Sequence, residues 1–164
     1  MTEATTVAPP RAAQVGELAG KFLTFFLGDE EYGLPILHVQ EIISVIPATP
    51  MPRTPAHIVG VVNLRGKVIP IVNLRERFGL PEVEHGSKTC IIVVYVHDRA
   101  TGIVVDHVSE VVDIQADAIE SIGGLGSDLQ TEFLLGVANC EDGLKILLAI
   151  ENVLPREDGE TAGT

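Results

Sequence analysis

The chain has 164 residues, a length that suits one compact domain or two small fused ones and leaves room for a buried core. Hydrophobic residues make up 46% and charged residues 21%, as in globular proteins, and no apolar run approaches the roughly 18 residues of a membrane span. The net charge of -12 argues against nucleic acid or an anionic membrane surface as the main partner, so protein partners are expected.

The two ends of the chain are predicted to be tails around one folded region, 18–154. Residues 1–17 contain Glu3, two prolines and no apolar run, so they lack the basic start and apolar middle of a signal peptide and predict a disordered tail. Residues 155–164 predict a flexible acidic tail. Cys90 and Cys140 form no CxxC pair and lie in apolar runs, which indicates reduced buried thiols and a cytoplasmic protein.

Short apolar segments rich in β-branched residues recur along the chain and predict strands, separated by turns that contain Gly, Pro, Asp or Asn. In chain order they are 22–27, 59–64, 68–72, 91–96, 103–105 and 144–150. Helical pieces are few and short. They are predicted at 56–59, at 73–78 with a possible Asn73 cap, at 117–121 and at 151–154. The pattern predicts an all-β fold of the barrel or sandwich class.

An internal repeat divides the folded region into two related halves. Residues 69 positions apart match in the pairs Gly33 and Gly102, Val39 and Val108, and Glu41 and Glu110. Residues 76 positions apart match in the pairs Gly60 and Gly136, Val61 and Val137, and Asn63 and Asn139. Chance likeness between two Val/Ile-rich segments is the alternative, but the collinear order of the matches favours duplication. The repeat predicts two β units, at 21–82 and 90–154, each with room for about five strands, the size of a small barrel.

The two halves differ in charge. Residues 1–82 contain 7 basic and 8 acidic side chains, whereas residues 83–164 contain 4 basic and 15 acidic ones. We therefore expect the halves to face different surfaces.

No pattern of a known catalytic, phosphate-binding or metal centre occurs in the sequence. There is no Gly-x-Ser-x-Gly, and the five histidines are never in HxH or HExxH spacing. The glycine-rich segment 123–126 lacks a lysine and precedes no strong helix, so a mobile loop is the simpler interpretation. A small enzyme that uses Asp106, His107 or Cys90 remains as a remote alternative. We expect no enzyme activity, cofactor or metal.

Four basic residues stand out in this acidic chain, namely Arg65, Lys67, Arg75 and Arg77. Ordinary surface solvation is one interpretation of the cluster. Arg65 differs from the others because it lies in a turn, before a glycine that can adopt positive φ, where a guanidinium can fork onto a carboxylate or backbone carbonyls. Pro70 is unusual in the apolar segment 68–72 and predicts an edge or a bulge, since proline cannot donate a ladder hydrogen bond.

Four segments resemble the CheW family of chemotaxis coupling proteins. They are FLTFFLGDEEYGLPILHVQEII at 22–43, IVGVVNLRGKVIPIVNLRERF at 58–78, GIVVDHVSEVVDI at 102–114, and 133–154. They occur in family order and span nearly all of residues 21–154. The resemblance implies two tandem five-stranded SH3-like barrels that share a hydrophobic core, in agreement with the repeat.

The resemblance also implies a non-catalytic adaptor in a two-component system, located in the cytoplasm at membrane-associated receptor arrays. Its partners would be the cytoplasmic tips of chemoreceptors and the regulatory domain of the histidine kinase CheA, without nucleic acid or direct membrane binding. A related coupling protein of a non-flagellar pathway, such as type IV pilus motility, is the alternative.

The resemblance carries over a set of receptor-facing positions and one sequence motif. The protein-binding candidates are Val39, Glu41, Arg65, Val68, Gly102 and Val111, and the motif is Asn63, Leu64, Arg65 and Gly66. Each candidate has a structural alternative: the valines may belong to the core, Glu41 to the solvated surface and Gly102 to a turn. Two residues depart from the family pattern. Pro35 puts local strand pairing in question, and Asn73, where aspartate is usual, does the same for a helix cap.

Overall fold

The computed structural model describes residues 5–6, 20–52, 58–81, 83–120, 134–141 and 143–154, and shows a mainly β protein. The strands in this part of the chain are β1 (Thr5–Thr6), β2 (Lys21–Leu27), β3 (Glu30–Pro35), β4 (Val39–Ser44), β5 (Ile58–Leu64), β6 (Lys67–Asn73), β7 (Cys90–Val96), β8 (Arg99–Val105), β9 (His107–Asp113), β10 (Ile119–Glu120), β11 (Leu134–Cys140) and β12 (Gly143–Leu148). The α-helices are α1 (Leu74–Arg77) and α2 (Ile150–Val153), and the 3-10 helices are η1 (Ile36–His38) and η2 (Ala116–Ala118). The predicted all-β class is confirmed.

All six predicted strands are present, although the one predicted at 144–150 ends at Leu148. Apart from the two-residue strands β1 and β10, strand patterning alone did not predict β3, β4, β9 and β11. Their sequences, such as EEYGLP and LLGVANC, carry Gly, Pro or charge inside the strand, which hides the apolar pattern. The predicted helix at 56–59 is wrong at Ile58 and Val59, which begin β5. Residues 56–57, the glycine-rich segment 123–126 and the tail 155–164 lie outside the described residues.

The strands form two sheets, and each sheet takes strands from both sequence halves. The first, sheet A, has the order β1-β4-β7-β8-β6-β5, and the second, sheet B, has the order β10-β11-β12-β3-β2-β9. The β7–β8 hairpin of the second half therefore lies in the first half's sheet, and the β2–β3 hairpin lies in sheet B. The sequence left open whether strands exchange between the two units, and the structure shows that they do.

The short connections after the hairpins explain this exchange. In sheet A, β4 and β8 are each antiparallel to β7, so they run parallel to one another. A half that closed on itself would place β3 where β8 lies, so the chain would have to return along a whole strand, about 20 Å. Only Ile36–His38 connects β3 to β4, which limits the span to about 14 Å, and only Asp106 connects β8 to β9. Neither half can close its own sheet.

A shared core lies between the sheets, and each sheet also encloses a smaller cluster. The shared cluster includes Leu23, Phe25 and Leu27 of β2 together with Ile92 and Val94 of β7. On the other face of β7, Ile91 and Val93 belong to the cluster inside sheet A, whereas Phe22 belongs to the cluster inside sheet B. β2 and β7 are thus buried on both faces, which explains their nearly continuous apolar sequences. The predicted shared core of two barrels is confirmed.

The two prolines in strands lie at positions where strand pairing does not require a hydrogen bond from a backbone N–H group. Pro35 is the last residue of β3 and precedes η1, so the strand pairs with β2 through its full length. Pro70 pairs with Val61 of β5, while the pairing of β6 with β8 begins only at Ile71. Pro70 was predicted to mark an edge or a bulge; β6 is an interior strand of sheet A, but at Pro70 it pairs with β5 alone.

The N-terminal segment is described only at Thr5 and Thr6. These residues do not form part of a featureless tail, because Thr5 pairs with Ile42 and Thr6 with Glu41 along the outer edge of β4.

Candidate partner-binding site

The motif Asn63, Leu64, Arg65 and Gly66 forms the tip of the β5–β6 hairpin. Leu64 pairs with Lys67, and the two residues between them both have positive φ, 54° at Arg65 and 86° at Gly66. This is the type I′ geometry that suits two-residue hairpins. The Asn63 Oδ1 atom accepts a hydrogen bond from the Gly66 N–H at 2.9 Å and holds the turn. Positive φ at Gly66 was expected from the sequence, but positive φ at Arg65 was not.

Arg65 and Glu41, which the sequence offered as separate candidates, form an ion pair. The Arg65 Nη2 atom donates to Glu41 Oε1, and the contact joins the hairpin tip to β4. The Glu41 side chain is only 11% exposed, whereas the Arg65 side chain is 60% exposed. The Arg65 guanidinium therefore neutralises the Glu41 carboxylate and still leaves hydrogen-bond donors exposed to solvent.

An apolar surface adjoins this ion pair. Val68 is 67% exposed on β6, directly across from Asn63. Beside it lies an open depression of about 530 Å³ that is lined by residues of β5, β6 and the segment 46–49, among them Ile46, Pro47 and Val61. The charged group and the apolar surface together form what we call the hairpin surface, defined by Glu41, Arg65 and Val68.

Two other candidates lie in the interior. Val39 is 1% exposed and packs in the shared core. Gly102 lies inside β8, where an added Cβ would stand 2.7 Å from Ile71 Cδ1 and 2.8 Å from Ile91 Cγ2. Neither residue offers surface to a partner, and Gly102 serves close strand packing rather than a turn. Their direct contact with a receptor is therefore not supported, and any effect they have acts through the packing around them.

Val111 lies on sheet B, whereas the hairpin surface lies on sheet A. It is 52% exposed on β9 and pairs with Leu23 of β2. The candidates therefore separate into one compact surface on sheet A, one exposed valine on sheet B and two interior residues.

The basic cluster also separates into different roles. Lys67 is exposed beside Arg65 on the hairpin. Arg75 instead makes a bidentate contact with Asp106, with Nε to Oδ1 at 3.0 Å and Nη2 to Oδ2 at 2.6 Å. The Arg77 Nε atom donates to the Val153 carbonyl oxygen at 2.8 Å and ties α1 to α2. Sequence reasoning grouped these residues by charge and missed that two of them join the two halves.

Asp106, His107 and Cys90, the residues of the enzymatic alternative, lie in environments that suit a structural role. Asp106 also accepts the Gly28 N–H at 2.7 Å, and its hydrogen bonds to Arg75 lower the pKa of its carboxyl group, which keeps it ionised. Burial raises the pKa of the Cys90 thiol, which favours the unreactive protonated form. The His107 ring stacks on Phe26 with 4.7 Å between ring centroids. Asp106 is thus occupied by structural hydrogen bonds, and the Cys90 thiol is not activated as a nucleophile.

The described residues include no group of three or more His, Cys, Asp or Glu side chains that could hold a metal ion. None of their helices is long and apolar enough to cross a membrane.

Comparisons with known proteins agree with this architecture. A family model described as the CheW-like domain matches residues 21–158. The chain is 40% identical to a chemotaxis protein CheW of Klebsiella aerogenes over 151 residues, which cover 89% of this chain and 91% of the relative. It is 37% identical to a chemotaxis protein CheW of Rhizobium meliloti (87% and 92% covered) and 35% identical to the protein FrzA of Myxococcus xanthus (80% and 82% covered). The crystal structure of the scaffolding protein TtCheW from Thermoanaerobacter tengcongensis superposes with a TM-score of 0.76 at 34% identity, covering 82% of this chain and 91% of that one.

Proposed function

This chain belongs to the CheW-like family of chemotaxis scaffold proteins, and from that membership we propose that it couples chemoreceptor tips to the regulatory domain of the histidine kinase CheA. It is an adaptor rather than an enzyme. The observation that carries the proposal is the hairpin surface, where a largely exposed guanidinium stands over a buried carboxylate beside an exposed valine.

The hairpin surface suits the side of a helical hairpin such as a receptor tip. Val68 and the depression beside it can receive an apolar side chain of the helix, and burial of that side chain supplies the attraction. The exposed donors of Arg65 can pair with an acidic or carbonyl group of the helix and so fix its position. The ion pair with Glu41 orients the guanidinium before the receptor arrives, which reduces the entropy lost on binding.

The other candidates take supporting roles in this proposal. Val111 supplies a second apolar contact on sheet B, so one receptor tip can touch both sheets. Val39 and Gly102 act indirectly, because they pack β4 and β8 beneath the surface. A patch of this size supports affinities of about micromolar, and many adaptors in one array would add avidity. Such an adaptor works in the cytoplasm, at the receptor arrays of the membrane.

The kinase contact is proposed on a different part of the molecule. The family resemblance implies that the regulatory domain of CheA has the same double-barrel fold and docks barrel end to barrel end. The two sheets of the described structure leave room for a kinase surface apart from the hairpin surface, which supports this proposal. A chemosensory pathway that does not control flagella would use the same two classes of partner.

A charge reversal with a matched control tests the proposal. We expect Arg65→Glu to weaken binding of soluble receptor fragments at least about tenfold, because the reversed charge repels Glu41 and a fork donor is lost. Lys67→Glu makes the same change in charge two residues away on the same hairpin, and we expect less than about a twofold effect. Binding would be measured by titration calorimetry, with circular dichroism to verify that both variants remain folded.

The kinase arm of the proposal uses the same proteins. The purified regulatory domain of CheA should co-elute with the wild type and with both variants, since the hairpin change leaves the kinase surface intact. Failure of the wild type to bind either receptor fragments or the kinase domain at tens of micromolar, a concentration typical of weak interfaces, would refute the coupling function. Equal losses from Arg65→Glu and Lys67→Glu would refute the hairpin surface as the receptor site.

A further inference from the structure

The strand exchange raises the question of which halves pair with each other, because main-chain hydrogen bonds alone do not distinguish like halves from unlike halves. Because the halves are repeats, the β2–β3 hairpin is equivalent to β7–β8, and β4–β5–β6 is equivalent to β9–β11–β12. The short connections stop a half from closing on itself. The strand pairings of the described residues, however, do not by themselves prevent the first half of one molecule from pairing with the first half of a second copy. Side chains must therefore distinguish unlike halves from like halves.

A buried ion pair lies in sheet B where β12 of the second half pairs with β3 of the first half. We call such a pairing between the halves a seam. In the parallel pairing of β12 with β3, Lys145 stands directly opposite Glu31. The Lys145 Nζ atom lies 2.8 Å from Glu31 Oε1, and the two side chains are only 1% and 10% exposed. The second carboxylate oxygen, Oε2, is also buried and makes no hydrogen bond within the described part of the chain. The carboxylate therefore depends on this lysine for charge compensation.

The equivalent seam in sheet A is apolar at the same place. There β6 pairs with β8, and Ile71 stands opposite Gly102, just as Leu147 stands opposite Gly33 in sheet B. By the repeat offsets of 76 and 69 residues, Lys145 corresponds to Ile69 and Glu31 to Ala100. Ile69 and Ala100 both contact the apolar cluster inside sheet A. One seam thus carries a charge pair where the other carries an apolar pair.

Like-half pairing would mismatch these seams. Two first halves would place Glu31 against Ile69, and two second halves would place Lys145 against Ala100. Each arrangement separates a buried charge from its partner in the interior, which is among the most destabilising changes a core can undergo. Only the pairing of a first half with a second half matches both seams.

We propose that the Lys145–Glu31 pair is a recognition element that makes each half select the unlike half and reject the like half of a second copy. A single buried polar or ionic contact that specifies pairing at some cost in stability is known from coiled coils. In this chain the contact decides between an internally paired monomer and exchanged oligomers of like halves.

The test gives the seam in sheet B the same residue pair as the seam in sheet A at this position. The double variant E31A/K145I gives sheet B the residue pair that sheet A has in Ala100 and Ile69. The reversed variant E31K/K145E keeps a charge pair. The double variant K21A/D113A removes an exposed ion pair, 2.8 Å long with side chains 37% and 61% exposed, and is the matched control. The wild type and the three variants would be refolded from denaturant at high concentration, with the cysteines kept reduced.

Two readouts report the outcome. Light scattering during gel filtration measures oligomer mass, and nuclear Overhauser effects identify the strand beside β12. Ile146 stands opposite Tyr32 in the native pairing, and its neighbour would be Thr101, the repeat equivalent of Tyr32, if second halves paired with each other. We expect only the Ile146–Tyr32 contact in the wild type, in the reversed variant and in the control.

For E31A/K145I we expect an added oligomeric fraction of about a tenth or more, with Ile146–Thr101 contacts, because the competing arrangements become close in energy. The proposal is overturned if this variant refolds only to the wild-type species with the Ile146–Tyr32 contact. It is also overturned if the variant does not fold, because the seam would then need the charges for stability rather than for selection.

Discussion

The contact between Arg75 and Asp106 allows a quantitative prediction about the connection between the halves. Asp106 is the sole residue between β8 and β9, and its carboxylate receives two hydrogen bonds from Arg75 and one from the Gly28 N–H. The side chains of Arg75 and Asp106 are only 13% and 26% exposed, so solvent screens the pair weakly. We predict that Asp106→Asn destabilises the fold.

The expected magnitude follows from the bonds lost. A hydrogen bond to a charged group contributes about 1.5–3 kcal/mol, and the asparagine oxygen can retain one of the three as a weaker bond. The asparagine NH2 group would also face a guanidinium donor. We therefore expect a decrease of about 2–3 kcal/mol in the free energy of unfolding, which corresponds to a fall of roughly 10 °C in Tm for a domain of this size.

The effect should depend on pH. Because Arg75 lowers the pKa of Asp106 in the folded protein, the carboxylate stabilises the fold fully above its unfolded pKa, about 3.9, and this contribution is lost as pH falls through the folded value. Urea unfolding at pH 7, 5 and 3.5 measures the difference between wild type and variant. It should be constant from pH 7 to 5 and smaller at pH 3.5.

The exposed pair Lys21–Asp113 provides the control. Asp113→Asn removes an ion pair of similar length, 2.8 Å, but with side chains 37% and 61% exposed, so we expect a change below about 0.5 kcal/mol. A loss of less than about 0.5 kcal/mol for Asp106→Asn at pH 7, or an equal loss at pH 7 and pH 3.5, would refute the reasoning. Kinase binding should survive in both variants, measured below their Tm.

Two further changes test the interior packing and the cap of α1. Gly102→Ala should lower the free energy of unfolding by about 1–3 kcal/mol, because its Cβ would stand 2.7 Å from Ile71 Cδ1; loss of receptor binding with unchanged stability in urea titrations would contradict this packing role. Asn73→Ala should cost about 1 kcal/mol and Asn73→Asp almost nothing, because the Asn73 Oδ1 atom caps α1 through the N–H groups of Arg75 and Glu76; equal losses in thermal unfolding would contradict the capping.

Local sequence patterns predicted much of the fold. Strands β2 and β7 were evident because both faces are buried and their apolar runs are nearly continuous. The repeat correctly paired equivalent elements, yet it did not reveal the exchange between sheets. The exchange depends on the length of the connections at Ile36–His38 and Asp106, and these are measurable only when the bounds of β3, β4, β8 and β9 are known.

The candidate site was predictable in part. Arg65 was identified because a basic residue before a glycine at a hairpin tip must project outward. The ion pair with Glu41 was not predictable, since it joins a turn to β4 across 24 residues, and β4 pairs with neither strand of that hairpin. Val39 and Gly102 became candidates through the family resemblance, with the core as the alternative for Val39 and a turn for Gly102. Both lie in the interior, and their part in partner binding stays a prediction.

The exchange of strands also has a consequence for synthesis on the ribosome. Within sheet B the β2–β3 hairpin leaves the ribosome first, but its neighbours β9 and β12 leave only after every described strand of sheet A. Sheet A can be completed once Val105 has emerged, while the apolar side chains of β2 must wait for residues 107–148. Sheet A can therefore form before sheet B, and β12, the last described strand to emerge, then pairs with β3 of the β2–β3 hairpin. A ribosome that stalls before Leu148 leaves sheet B without β12, and with it the lysine that Glu31 requires.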